Sequence, residues 1–109
     1  MSFNPKTVSW VNSTQGTDQN GNTVPWDATA DLAAIAIEID AETVLSVPVS
    51  LGATSFDLTT LASYQALAAG SHTLELALVT KEGAVSAFAA PDTFSIGVVP
   101  LAPTAVTVS

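Results

Sequence analysis

The sequence offers little for acid–base catalysis at neutral pH. Histidine is the residue type that titrates nearest that range, and the sequence contains only one. His72 is that histidine, and the chain has no cysteine. A Ser or Thr nucleophile needs an adjacent base, and the base needs a group that orients it. Nothing in the sequence identifies such a group. We therefore interpret His72 as a solvated histidine where a turn enters a strand.

The ten Asp and Glu residues could supply the carboxylate pair of a glycoside hydrolase. That chemistry requires a concave groove that holds the sugar between the two carboxylates. A chain of 109 residues made of short strands does not usually form one. The sequence therefore predicts no enzyme and no cofactor.

Residues 18–22 read Asp-Gln-Asn-Gly-Asn, which places oxygen-bearing side chains at alternate positions, as part of a calcium loop does. A complete EF-hand loop adds a bidentate Glu at its twelfth position, where this chain has Thr29. We therefore predict a solvated turn and no metal site. If an ion did bind here, Asp18, Asn20 and Asn22 would be its ligands.

The charge of the chain excludes two classes of partner. Lys6 and Lys81 are the only basic side chains, and the formal net charge is −8. Because such a surface repels phosphate, we expect no binding to nucleic acid or to an anionic membrane. The sequence does not open with a secretory signal pattern, and its longest apolar run, residues 32–37, is too short to span a membrane. We expect a soluble protein made in the cytoplasm, unless an export signal preceded it in a longer chain.

Alternation of apolar and polar residues with a period of two predicts that the chain is mostly strands. The polar residues 12–27 are predicted as a long loop, and residues 60–69 as a segment with one helical turn. Strands are predicted at residues 6–11, 34–40, 43–50 and 73–79, briefly around Phe56 and Leu58, and in a last strand that runs through Phe88, pauses at Pro91 and reaches Ile96.

The same alternation predicts which side chains form the core. Ile35, Ile37 and Ile39 share one face of their strand, whereas Ala34, Ala36, Glu38 and Asp40 occupy a face expected to be wet. Pro48 predicts an edge strand. The predicted core between two sheets is Trp10, Ile35, Ile37, Ile39, Leu74, Leu76, Leu78 and Phe88. Short strands separated by turns, without intervening helices, predict an all-β sandwich or barrel.

Three stretches resemble bacterial fibronectin type III modules. They are TVSW at residues 7–10 with TQGTD at residues 14–18, IAIEIDAETVL at residues 35–45, and LAAGSHTLELALV at residues 67–79. The resemblance covers residues 6–97 and implies an all-β, antiparallel Greek-key β-sandwich. Many members of that family carry a corner tyrosine where this chain has Thr73, so the resemblance implies that the corner hydrogen bond is absent or replaced.

The C-terminal stretch PLAPTAVTVS, residues 100–109, resembles the first strand of such modules, although here it follows the last one. We therefore predict a sandwich at residues 1–99 and a strand-like tail or linker at residues 100–109. The tail is expected to pair with the strand at residues 6–11. That pairing is either within its own chain or, as we favour, in a neighbouring copy.

Partner contacts are predicted at five residues. Trp10 is expected in the core. Trp26, in the predicted loop, is interpreted as either a lid on one end of the sandwich or an anchor for a partner, and Tyr64 has the same two interpretations. The residues predicted to contact a partner are Trp26, Tyr64, Pro103, Val106 and Val108.

Two functions are compatible with these observations. The first is a structural protein of a bacteriophage particle, either a capsid decoration or a tail component, made in the host cytoplasm. Its partners would be other virion proteins or copies of itself. The second is an accessory binding or spacer module of a larger secreted bacterial enzyme or adhesin, which would be extracellular and could contact carbohydrate or a cell surface. Both rest on analogy between folds.

Overall fold

The computed structural model describes residues 2–42 and 44–109 and is built of short strands joined by turns. About 40% of the residues are in strands and 10% in helices, which makes the fold broadly all-β. The helical segments are α1 (Ala28–Asp31), α2 (Ala62–Gln65) and a 3₁₀ turn, Leu58–Thr60. The strands are β1 (Ser2–Phe3), β2 (Thr7–Ser9), β3 (Gln15–Thr17), β4 (Thr23–Pro25), β5 (Leu32–Ile39), β6 (Leu45–Pro48), β7 (Ser55–Asp57), β8 (Gly70–Thr80) and β9 (Asp92–Ile96).

The largest sheet has five strands in the order β1-β9-β8-β5-β6. All neighbouring strands in it are antiparallel except β1, which runs parallel to β9. Strand β6 lies at the edge of the sheet, as Pro48 predicted, because proline has no N–H to donate and an edge strand needs no donor on its outer side. The predicted strand at residues 43–50 is thus confirmed in its centre, and Thr43 lies outside the described residues.

Strands β2 and β7 form a separate two-stranded antiparallel sheet in which Val8 is opposite Phe56. Both side chains pack against the core that the large sheet presents. The buried members of that core are Ile35, Ile37, Ile39, Leu58, Leu74, Leu76 and Phe94. The predicted inward faces of β5 and β8 are confirmed, with Trp10 and Leu78 packed beside this core and partly buried.

The opposite face of the large sheet is not wet throughout, so one prediction was wrong. Ala36, Ala77 and Val79 are buried there, and Ala34 and Phe88 pack against them. Phe88 therefore lies outside the two-sheet core in which it was predicted. The reason is that residues 84–89 bond along β8, through Ser86 N–H to Leu78 O at 2.9 Å and Ala89 N–H to Leu76 O at 3.0 Å, without forming a regular strand.

Residues 12–27 are not one long loop, as predicted, but contain the hairpin β3–β4. The side chain of Asp18 closes its turn, because one carboxylate oxygen accepts from Asn20 N–H and Asn22 N–H at 2.9 Å each. Gly21 supplies the left-handed conformation that the turn needs, with φ of 79°. The predicted turn at residues 18–22 is confirmed as the tip of this hairpin, and the predicted helical turn in residues 60–69 is confirmed as α2.

The tail, residues 98–109, forms no strand and is exposed throughout. Leu101 is 94% exposed, Val106 81% and Val108 93%. The described chain measures 74 × 25 × 21 Å, and an extended tail of this length accounts for about 40 Å of the long dimension. In this structure the tail therefore does not lie beside its own β2. No helix in the described part of the chain is long and apolar enough to cross a membrane.

The burial of the core leads us to expect different effects on stability from truncating a buried and an exposed leucine. Leu76 is buried in the main cluster, whereas Leu101 is almost fully exposed. Leu76→Ala should lower the free energy of unfolding by about 2–5 kcal/mol, through lost transfer energy plus a cavity. The matched change Leu101→Ala should alter it by less than about 0.5 kcal/mol. Urea unfolding followed by circular dichroism measures both, and equal effects of the two substitutions would show that the inward face of β8 is wrongly assigned.

Candidate functional site

A cleft of about 460 Å³ lies between the β3–β4 hairpin and the segment that follows β8. The hairpin forms one wall, and residues 84–87 form the other. Both walls are fixed by main-chain bonds: Trp26 N–H donates to Thr14 O at 3.0 Å, and Thr80 N–H donates to Ala84 O at 2.9 Å. The cleft thus lies between the β3–β4 hairpin on one side and the turn that follows β8 on the other.

Trp26 lines this cleft and is half-buried. Its indole N–H donates to a carboxylate oxygen of Asp31 at 2.9 Å, and Lys81 N–H donates to the main-chain oxygen of Asp31 at 3.1 Å. Asp31 thereby ties the hairpin wall to the turn after β8. With its polar atom satisfied, the indole is held in place and offers the cleft an apolar ring, which is compatible with both interpretations of Trp26.

The lining of the cleft is neutral. It contains no Asp, Glu, Lys or His side chain, and its polar members are mainly hydroxyls, including those of Ser13, Thr17, Thr23 and Thr80. Val85 contributes an apolar side chain that is 57% exposed. Hydroxyl groups beside an aromatic ring suit an uncharged polar ligand or the surface of a protein loop, and they supply no acid or base for chemistry.

His72 is not the solvated residue that the sequence predicted. Its Nδ1–H donates to Asp40 Oδ2 at 2.5 Å, its Nε2–H donates to Ala68 O at 2.7 Å, and its ring stacks on Phe94 at 5.7 Å. The His72 side chain is 12% exposed. Asp40 was not predicted from the sequence as its partner, although the antiparallel pairing of Ile39 with Leu74 places residue 40 beside residues 72 and 73.

Asp40 connects two turns of the large sheet. It follows β5 with a left-handed φ of 56°, a conformation that Asp tolerates better than most residues. Its N–H donates to Thr73 O at 2.9 Å, and its Oδ1 accepts from Thr73 N–H at 2.9 Å. The carboxylate therefore holds His72 and the start of β8 against the end of β5.

The hydrogen bond between the two side chains shifts both pKa values. That bond, followed by the one from Thr73 N–H, lowers the pKa of Asp40 below its ordinary 3.8. The same bond, followed by the one to Ala68 O, raises the pKa of His72 above its ordinary 6.5. Both ring nitrogens face acceptors, an arrangement that favours the protonated ring, in agreement with the raised pKa of His72.

Tyr64 packs inside the protein rather than beside the cleft. Its hydroxyl donates to Pro5 O, its ring centroid lies 6.2 Å from that of Phe94, and it contacts the main core. Burial raises the pKa of its phenol. Tyr64 thus has a packing role in this structure, and its role as a partner anchor stays a prediction.

The structure does not bring the five predicted partner residues to one surface. Trp26 lines the cleft, Tyr64 packs beside Pro5, and the remaining three belong to the exposed tail. At the predicted turn, Asp18 directs its carboxylate to main-chain N–H groups. Within residues 2–42 and 44–109, no three Asp, Glu, His or Cys side chains lie together as ligands of a metal would.

Comparison with known proteins found no matching protein-family model, curated protein or solved structure.

We expect the Asp40–His72 pair to contribute to the free energy of unfolding only within a limited range of pH. Because the pKa of His72 is raised, its contribution is complete below about pH 6.5 and is lost as pH rises through the folded value. Because the pKa of Asp40 is lowered, its contribution is present above about pH 3.8 and is lost as pH falls through the folded value. The coupling should therefore be largest between about pH 4 and 6.5.

A double-mutant cycle of Asp40→Asn and His72→Gln, with unfolding measured from pH 3 to 9, isolates this coupling from other charges. A coupling that stays constant across this range would contradict the ion pair.

Proposed function

We propose that this chain is a non-catalytic structural protein that acts through protein–protein contacts, as a small component of a bacteriophage particle. It would be either a decoration protein on the capsid or a component of the tail of the phage particle. The proposal extends the resemblance to fibronectin type III modules to the observed strands. In that assignment β2 and β7 correspond to strands B and E, β5 and β6 to C and C′, and β8 and β9 to F and G.

The exposed tail is the observation that carries this proposal. Uncovered apolar side chains cost free energy in water, and a contiguous set of them marks a contact surface. The tail carries five exposed large apolar residues, namely Val98, Val99, Leu101, Val106 and Val108. It is exposed along its whole length and joins no sheet, which leaves it available to another protein molecule.

The absence of catalysis is part of the same proposal. The cleft is lined by neutral groups, and both ring nitrogens of His72 are engaged by acceptors, Asp40 Oδ2 and Ala68 O. These two observations support a binding role over an enzymatic one. Asp40 and His72 then serve the fold, by fixing the ends of β5 and β8.

The alternative is an accessory module of a larger secreted bacterial protein, and the cleft is the observation that favours it. Trp26 beside several hydroxyl groups has the composition of a surface that holds an uncharged sugar. In that case the tail would lead to the next module and the functional contact would lie at the cleft.

The virion proposal predicts where the protein is found. An antibody raised against the purified chain should label assembled particles in a lysate of the phage that encodes it, as seen by immunogold electron microscopy. Particles made from a genome with a stop codon in this gene should remain unlabelled and serve as the control. Protein confined to the particle-free fraction would refute the proposal.

The alternative predicts binding of a neutral polysaccharide at the cleft. Trp10 is the only other tryptophan, so the fluorescence of a Trp10→Phe variant reports Trp26 alone. Its emission should shift when cellulose-, chitin- or mannan-derived oligosaccharides are added, and Trp26→Ala should abolish retardation in gels that contain the polymer. An unchanged spectrum and unchanged mobility with all three sugars would exclude the cleft as a site for them.

A further inference from the structure

Strand β2 has one paired edge and one free edge. Its bonds to β7 and the adjoining chain involve alternate residues: Val8 is opposite Phe56, Leu58 N–H donates to Lys6 O at 2.8 Å, and Trp10 N–H donates to Thr54 O at 2.9 Å. Thr7 and Ser9 lie between these residues, so their main-chain groups point to the other side of β2. In the described part of the chain no main-chain group pairs with them there.

A small apolar groove runs along this free edge. Its volume is about 120 Å³, and its apolar lining includes Pro5, Val8, Leu58, Leu74 and Phe94. Leu58, Leu74 and Phe94 are buried members of the main core. The groove is therefore the place where the gap between the two sheets opens onto the core, and short aliphatic side chains would fill it.

The tail has the properties of the strand that this edge lacks. At its end, residues 104–109 read TAVTVS, and most of them are β-branched residues of high strand propensity. Val106 and Val108 lie two apart, so in an extended chain they share one face, whereas Ala105 and Thr107 share the other. Both valines are exposed in this structure.

Charge permits contact between copies at these two surfaces, the tail and the groove. Two copies with a formal charge of −8 each repel one another. Residues 98–109 carry no charged side chain, and Asp92 is the only charged residue in the lining of the groove. The tail and the groove can therefore meet without bringing like charges together.

From these observations we infer that the tail of one copy adds as a strand to the free edge of β2 in a second copy. Val106 and Val108 enter the groove, and the main chain of the tail bonds to Thr7 and Ser9. The inference rests on the proposed function and names its partner as a second copy of this chain. The exchange is between molecules because, in the described structure, the main chain of the tail pairs with no strand of its own chain.

Two full-length variants separate the donor from the acceptor. Val106→Asp with Val108→Asp places charge on the face that enters the groove and disables the donor. Ser9→Pro removes an N–H from the free edge while leaving the bonds to β7 intact, and disables the acceptor. In sedimentation equilibrium the wild type should associate, and each variant should raise the Kd by about tenfold or more. Leu101→Asp, a charge in the same tail outside the strand segment, is the matched control and should leave the Kd unchanged.

Mixing the two defective variants tests the exchange itself. The donor-defective copy retains its groove and the acceptor-defective copy retains its tail, so together they should form a one-to-one heterodimer that neither forms alone. A mixture that stays monomeric, or a wild type that is monomeric at all concentrations, would overturn the inference. So would association that both variants leave intact.

A crosslink keeps the inference testable if Ser9→Pro does not fold. Because the chain has no cysteine, a Thr7→Cys copy mixed with a Thr107→Cys copy should form a mixed disulfide under mild oxidation. Thr7→Cys with Val98→Cys is the control and should crosslink far less; equal crosslinking would count against the exchange. Association that follows these rules, in a protein whose antibody does not label phage particles, would retain the exchange and reject the virion role.

Discussion

The pairing of β5 with β8 is the interaction on which the rest of the structure depends. Its register places Ile35 opposite Leu78, Ile37 opposite Leu76 and Ile39 opposite Leu74, so one face of the pair is a continuous aliphatic surface. Every other part of the core packs on it: the sheet of β2 and β7 from one side, and Phe88 over Ala36, Ala77 and Val79 from the other. The pair also sets the position of Asp40 beside Thr73, because one residue beyond Ile39 the chain must turn. A local ion pair thus depends on a long-range register.

The polar groups of this protein are used mainly to shape turns. The carboxylates of Asp18, Asp27 and Asp57 each accept from a main-chain N–H two residues ahead, which is the usual way in which Asp closes a turn. Asp31 and Asp40 join turns that are distant in sequence. With Asp92, which accepts from Thr93 N–H, six of the ten acidic residues have such a bond. The lining of the cleft is neutral, and the groove at the free edge of β2 is lined by one carboxylate, that of Asp92.

Periodicity predicted the faces of the long strands and little of what depends on register. The Ile and Leu alternation in β5 and β8 identified their buried sides because a period of two fixes the face of a strand. It does not fix which residue is opposite which, and for that reason the Asp40–His72 pair was missed. The β3–β4 hairpin was missed because its strands are exposed and polar, and its geometry comes from the bonds of Asp18. The burial of Ala36 was missed because alanine is compatible with either face, and only the return of residues 84–89 along β8 covers it. The cleft has no local signal, since its walls come from two separate turns.

The two sheets that pack on the main core are unequal, with five strands and two strands, and one junction fastens the chain before β2 to the chain after β9. Asn4 Nδ2 donates to Gly97 O at 2.7 Å, and Gly97 N–H donates to Asn4 Oδ1 at 3.0 Å, so the chain just before β2 is fastened to the chain just after β9. The junction is close: a Cβ on residue 97 would lie 2.9 Å from the ring of Phe3, so that this exposed ring would have to shift to admit one. Asn4 itself has a left-handed φ of 46°, so the chain reverses there and enters β2 without a strand on its outer side. A two-stranded sheet gains little stability from its own ladder and is held by packing of Val8 and Phe56. The same contact thus fixes both the chain just before β2 and the residue at which the exposed tail begins.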